Sequence, residues 1–254
     1  FIIMAGHSQF KNIMHRKGAQ DKKRAKMFTK AGREIIVAVK HGSPDPEFNP
    51  RLRNAIANAK AMNMPNDRIQ RAIDSAQGNL EGQNYEEIRY EGYGPGGVAF
   101  IIEALTDNKN RTAADIRAAF SKNGGNLGET NSVSFMFDRV GEVVYPLDVA
   151  DEETMLEAAI EAGAQQCEQS DACHIITCDA GDFAAARQTL VERFGEPEKS
   201  GLNWRANTPA IVDEEQARSN IKLIEVFEDL DGVQYVTTNF EVSDDIMEKL
   251  VSNG

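Results

Sequence analysis

The hydrophobic period of the chain changes at Gly78, and this change limits the folds open to it. Up to Gly78, apolar residues recur every three or four positions, the repeat of helices with one buried face. Beyond it, short runs with the two-residue alternation of half-buried strands are interleaved with further helical stretches. Such a chain cannot be one bundle or one sheet. It is expected to be α+β and multidomain, with an all-helical module in front.

The front module reads as three helices. Over about Gln20 to Lys40, Phe28, Ala31, Ile35, Ala38 and Val39 span roughly 160–260° of a helical wheel that starts at Lys22. Lys22, Lys26, Lys30, Arg33 and Lys40 fall at about 0–80° on that wheel, so a basic stripe is expected opposite the apolar one. His41-Gly42 and the prolines of Ser43-Pro44-Asp45-Pro46 end this helix. A second helix is expected over 50–62, capped by Asn49 with Pro50 in its first turn. A third is expected over 65–77, with Pro65 marking its start. The polar, basic stretch 4–18 has no sustained period and reads as an arm, with Met4-Ala5-Gly6 as the expected natural start behind three added residues.

After Gly78, strands are expected over 86–92 and 98–105 around the turn Gly94-Pro95-Gly96-Gly97, then a helix over 110–123 and a strand over 132–137. Residues 139–206 read as a complete βαββαβ unit: strand 142–146, helix 151–163, strands 164–169 and 173–178, helix 181–194 and strand 200–206. That order is ferredoxin-like. The tail, with strands 209–212 and 233–239 around helix 213–229, cannot close a domain alone. The expected organisation is therefore a basic arm and three-helix bundle over 4–78, a discontinuous α+β domain from 79–138 and 207–254, and an inserted domain over 139–206, both α+β domains being ferredoxin-like.

Charge gives this architecture a functional reading. The chain carries 28 Lys+Arg against 40 Asp+Glu, a net charge of −12. Residues 1–75 nevertheless hold 15 Lys+Arg against 6 Asp+Glu, which leaves the remainder at 13 against 34. Positive charge gathered in one module of an acidic protein points to a polyanion as its partner, with the acidic part repelling that polyanion and orienting the approach. The expected contacts are His7, Ser8, Lys11, His15, Arg16 and Lys17 on the arm, Lys22, Lys23, Lys26, Lys30 and Arg33 on the first helix, and Arg51 and Arg53 on the second. Lys and Arg neutralise phosphates and release counterions, while His and Ser donate hydrogen bonds. Lys109 and Arg111, at the expected start of the 110–123 helix, form a secondary candidate surface. Plain N-capping by Asn110 is the simpler account of that region.

No catalytic constellation is present: there is no Gly-x-Ser-x-Gly elbow, no His-Glu-x-x-His and no nucleotide fingerprint. The chain is expected to be non-enzymatic, without cofactors. Asp151-Glu152-Glu153 and Asp213-Glu214-Glu215 each open an expected helix, where the macrodipole accounts for them. Cys167, Cys173, His174 and Cys178 do not have zinc-site spacing; no metal is expected, and at least two of the thiols are expected to be buried. Three cysteines are no disulfide framework, which fits a reducing cytoplasm. No apolar run approaches the ~20 residues of a membrane span, so no membrane partner is expected.

Several stretches carry a resemblance. Met4-Ala5-Gly6-His7-Ser8, His15-Arg16-Lys17, Lys26-Met27-Phe28-Thr29-Lys30, Asn49-Pro50-Arg51-Leu52-Arg53, Asn63-Met64-Pro65, Tyr90–Gly97, Thr106–Thr112 and Gly124–Gly128 together closely resemble the YebC family, over essentially the whole chain from Met4. The chain departs from the family pattern at Gln9-Phe10, where Lys-Trp is usual, at Met14, where Lys is frequent, and at Asn131-Ser132, where Gly-Ser is common. The resemblance implies a helical bundle followed by two α+β domains, one inserted in the other. It implies regulatory nucleic-acid binding: family members are described as DNA-binding regulators of transcription. Relatives that include a mitochondrial translational activator of cytochrome oxidase are similar to ribosome-associated factors that help synthesis of difficult sequences such as proline runs. The implied partner is DNA or ribosomal RNA, with the ribosome itself and a protein partner for the acidic domains as further candidates.

Overall fold

The computed structural model describes residues 20–78 and 84–252. These form two compact units, one of residues 84–138 and 204–252 and one of residues 20–78 and 139–203. In chain order the elements are helices α1 (Gln20–Lys40), α2 (Pro50–Ala61) and α3 (Asn66–Gln77); strands β1 (Glu86–Tyr93) and β2 (Ala99–Thr106); helix α4 (Lys109–Lys122); strands β3 (Asn126–Leu127) and β4 (Phe137–Pro146); helix α5 (Glu152–Glu161); strands β5 (Gln166–Gln169) and β6 (Cys173–Asp179); helix α6 (Phe183–Phe194); strands β7 (Lys199–Ala206) and β8 (Ala210–Ile211); helix α7 (Glu214–Asp229); strands β9 (Val233–Thr238) and β10 (Phe240–Glu241); and helix α8 (Asp244–Ser252).

In the unit of residues 84–138 and 204–252, the main sheet has the order β3-β1-β2-β9, every neighbouring pair antiparallel. This corrects the ferredoxin-like expectation for this part of the chain. The turn of Gly94–Gly97 is too short for a crossover helix, so β1 and β2 must pair with each other as a hairpin. Gly96 and Gly97 supply that turn, both at φ +75°. A short parallel pair, β8 with β10, stands apart from this sheet.

Against one face of the sheet, Phe100, Phe120 and Phe227 meet edge to face with ring centroids 4.7–5.8 Å apart. Each such ring contributes about 1.5–3 kcal/mol by burial. The opposite face carries Ala99, Ile101, Val133 and Phe137, with Tyr93, Met136 and Trp204 packed against them.

The loop 128–134 is held to that second face by Glu91, which is 1% exposed. Its carboxylate accepts the Val133 and Ser134 amides, each at 2.9 Å, and the Arg89 Nε at 2.9 Å. Arg89 in turn donates to Asn131 Oδ1 at 2.9 Å and lies over the Trp204 ring, 5.0 Å from its centroid. Asn131 takes the left-handed conformation, φ 67°. Asn tolerates that region best among residues with a side chain.

A strand over 132–137 does not form: Ser134–Met136 make a single 3-10 turn, and β4 then runs unbroken from Phe137 through Gly141. Gly141 marks close packing rather than a turn. A Cβ there would lie 2.7 Å from both Cys178 Sγ and the Phe183 side chain. In the unit of residues 20–78 and 139–203, the sheet has the order β5-β6-β4-β7, with α5 and α6 in the connections; this is the ferredoxin-like order expected for residues 139–206. Its core is Val143, Tyr145, Met155, Ala158, Ala159, Ile176 and Leu190. Asp151 and Asp213 cap α5 and α7, with glutamates in each first turn.

Asn49 organises the bundle. It is 6% exposed; its Oδ1 accepts the Leu52 amide, while its Nδ2 donates to Ala38 O and Ser43 O. One side chain thus caps α2 and holds the end of α1. On α2, Asn54 and Asn58 stand one turn apart, and both donate to Ser200 O, at 3.0 and 2.9 Å. The Ser200 hydroxyl donates to Asn54 Oδ1 at 2.5 Å, and the Ser200 amide to Asn58 Oδ1 at 3.2 Å. Ser200 belongs to the edge strand β7, so α2 caps a backbone that would otherwise be open to another strand. The tail also holds two elements not expected from the sequence, β10 and α8.

Candidate nucleic-acid interface

Among the described residues, the basic stripe of α1 is interrupted between Arg33 and Lys40. Arg24 and Lys26 are exposed, while Lys30 and Arg33 are half-buried. From Ile35 to Val39 all five residues are buried. Ile36 and Val37 fall at about 320° and 60° on the wheel that begins at Lys22, on the side expected to face solvent. The segment Ile35–Val39 of α1 is therefore enclosed all round, and exposure returns at Lys40. Periodicity missed this because a run of five apolar residues fits a buried helix and a one-sided helix equally well.

The expected contacts separate accordingly. His7, Ser8, Lys11, His15, Arg16 and Lys17 lie outside the described residues, as do the side chains of Lys22 and Lys23 in the first turn of α1. Arg51 is half-buried and committed to Glu34: its Nε donates to Oε1 at 2.9 Å and its Nη2 lies 2.8 Å from the same oxygen. It braces α2 against α1 as well as carrying charge. Arg53 is exposed and makes no ion pair among the described residues. Lys109 and Arg111 belong to the other unit and are exposed; Arg111 pairs with Asp107 at 2.9 Å. The N-cap of α4 is Asn108, whose Oδ1 accepts the Arg111 amide at 3.1 Å. Asn110 does not have that role, because the helix begins at Lys109.

Besides Arg71 on α3, three bundle cations escaped the sequence reading. Arg24 falls on the apolar side of the wheel yet is exposed, Lys60 is exposed near the end of α2, and Arg68 lies over the Phe28 ring, 5.6 Å from its centroid. The module's overall charge was the available signal for them, since each lies away from the basic stripe. On α3 the exposed positions are Asn66, Asp67, Arg68, Gln70, Arg71, Asp74 and Gln77, with Arg71 held by Asp67 and Gln70 by Asp74.

Of the three thiols, only Cys178 is buried; Cys167 and Cys173 are half-buried. That corrects the expectation of at least two buried thiols, because β5 and the start of β6 lie at the rim of the sheet. Burial and neighbouring carboxylates push the Cys167 and Cys178 thiols above their usual range. No described helix is long and apolar enough to cross a membrane.

The comparisons with known proteins cover nearly the whole chain. Residues 8–79 match the model of the TACO1/YebC protein N-terminal domain, and residues 85–240 match that of the TACO1/YebC second and third domain. The chain is also similar to a conserved hypothetical protein of Aquifex aeolicus of known crystal structure, with 44% sequence identity, coverage of 91% of this chain and 96% of that one, and a TM-score of 0.84. A basic helical module and an acidic α+β remainder, matched in turn by the family's successive domains, place this chain in the TACO1/YebC family.

Proposed function

We propose that this chain is a non-enzymatic regulatory protein that holds a nucleic acid by its phosphate backbone, with the arm and helical bundle as the contact surface. The charge distribution carries this reading: 15 Lys+Arg against 6 Asp+Glu in residues 1–75 of a chain with net charge −12. Exposed Arg24, Lys26, Arg53 and Lys60 belong to the described part of that surface. We read the chain as a bundle over 4–78, a discontinuous domain from 79–138 and 207–254, and an insert over 139–206; the pairing of β9 with β2 supports the discontinuous domain. In full, the reading is a cytoplasmic DNA-binding regulator of transcription.

A second reading, RNA binding at the ribosome, is favoured by one observation. On the exposed face of α3, Asp67 and Asp74 alternate with Arg68, Gln70 and Arg71 and hold two of them, Arg71 by Asp67 and Gln70 by Asp74, an arrangement poorly suited to entering a groove walled by phosphates. Contacts confined to phosphates position a protein without conveying sequence, which suits a factor that recognises a folded RNA.

The test is charge reversal at Lys26 and Arg53, both exposed, read by fluorescence polarisation with a labelled 30-base-pair duplex and a labelled 30-nucleotide RNA hairpin. The salt slope of log K should fall by roughly two for the duplex, with folding unchanged. Wild-type binding that the reversal leaves intact would overturn the bundle as the contact surface. Sucrose-gradient sedimentation of lysate separates the polymers: co-migration with ribosomes that survives DNase but not RNase supports the second reading.

A further inference from the structure

The unit of residues 84–138 and 204–252 is strongly acidic, with 9 Lys+Arg against 19 Asp+Glu. Four of those nine cations (Lys109, Arg111, Arg117 and Lys122) lie on the 14 residues of α4, whose only acidic residue is Asp115. Position on the helix makes the cluster a surface. Taking Lys109 as zero, the buried Thr112, Ile116, Ala119 and Phe120 lie between about 280° and 20°. Arg117 falls at about 80°, and Arg111 and Lys122 at about 200–220°. Between these two basic edges run exposed Asn110, Ala114 and Ser121, at about 100–140°.

Helix stability accounts for Lys122, which stands in the last turn where the macrodipole favours a cation, but not for the others. Lys109 and Arg111 stand in the first turn, where the macrodipole disfavours positive charge, and α4 has no acidic residue there. The helices α5 and α7 place glutamates at the equivalent positions. Lys109, Arg117 and Lys122 make no ion pair among the described residues, so they do not serve as struts. Among the described residues Arg111 pairs with Asp107 alone, in a contact exposed on both sides (57% and 48%). Such a pair is worth little in water and gives way readily to a phosphate.

We infer that the outer face of α4 is a second contact for a nucleic-acid backbone, with Arg117 on one edge, Arg111 and Lys122 on the other, and a low ridge of small side chains that lets the phosphates come close. This rests on the reading of the protein as a nucleic-acid binder and adds a surface on its acidic part. The contact is ionic and carries no sequence preference.

The experiment uses the full chain and the labelled 30-base-pair duplex, titrated between 0.05 and 0.3 M salt. The double variant Arg117→Ala, Lys122→Ala should lower the salt slope by about two and weaken binding roughly 50-fold at 0.1 M salt. The charge-keeping variant Arg117→Lys, Lys122→Arg should bind as the wild type does. Both pairs are exposed, and circular dichroism verifies the helix content. An unchanged slope in the Ala variant, with wild-type binding intact, overturns the α4 surface while leaving the bundle reading in place. Loss on bundle charge reversal together with no loss on α4 truncation overturns it equally. Absence of duplex binding by the wild type overturns both.

Discussion

Removing the Glu91 carboxylate should destabilise the unit of residues 84–138 and 204–252 by about 3–5 kcal/mol, the usual cost of breaking a buried charged cluster. The parts can be worked from its contacts. Val133 and Ser134 each donate an amide to Oε2 at 2.9 Å. Each bond to a charged acceptor is worth about 1.5–3 kcal/mol when broken in a buried place. Arg89 adds less, because at 31% side-chain exposure it can recover water. Glu91→Ala loses all of this, whereas Glu91→Gln keeps one acceptor oxygen and should cost about half as much.

Urea unfolding at neutral pH measures both variants, and Trp204, the one tryptophan of the chain, is the reporter because Arg89 lies against its ring. Its emission should shift in the native state of both variants, as the guanidinium loses its anchor. The pH dependence follows from the carboxyl group itself. Burial alone raises its pKa, but the amides of Val133, Asn131 and Ser134 and the Arg89 charge outweigh it and hold the value below the ordinary range. A depressed folded-state pKa stabilises above the ordinary carboxylate pKa and is lost as pH falls through the folded value. The gap between wild type and Glu91→Gln should therefore close in acid. A cost below about 1 kcal/mol for Glu91→Ala, or a gap that widens in acid, would refute the reasoning.

Two other outcomes follow from the unit of residues 20–78 and 139–203. Asn49→Ala removes the α2 cap and strands Ala38 O and Ser43 O, so a loss of about 2–3 kcal/mol is expected in urea melts, against a few tenths for the exposed Lys60→Ala. Tyr145, buried with its hydroxyl donating to Gly195 O at 2.9 Å, has a pKa pushed up to about 12, mainly by burial. Its contribution is complete below the ordinary tyrosine pKa and lost as pH rises through about 12, so Tyr145→Phe should narrow the alkaline loss of stability seen by circular dichroism.

Elements with local causes were legible in the sequence. The start of α2 follows from Asn49 and Pro50, the caps of α5 and α7 from Asp151 and Asp213, and the β1–β2 hairpin from Gly94–Gly97. Each rests on residues within one turn of one another. The candidate site was legible as charge, because the sum of charges over a module does not depend on how the module packs. Its geometry was not. Whether Ile36 and Val37 face water depends on what covers α1, and whether Arg51 is available depends on Glu34, one helix away.

The same division holds for the whole protein. By itself, the sequence determined the helical front module, the change of period at Gly78, the excess of cations before residue 76 and most element boundaries, since all of these arise from neighbours along the chain. Only tertiary structure decided that Glu91 is a buried anchor rather than a surface carboxylate, that Gly141 is a packing contact rather than a turn, and that β7 is capped by Asn54 and Asn58. Contacts between residues roughly 40 positions apart along the chain set each of the first two, and about 140 separate Ser200 from its partners on α2. Such pairings have no periodic trace in the sequence, because a residue's partner across the fold leaves its own neighbours unchanged.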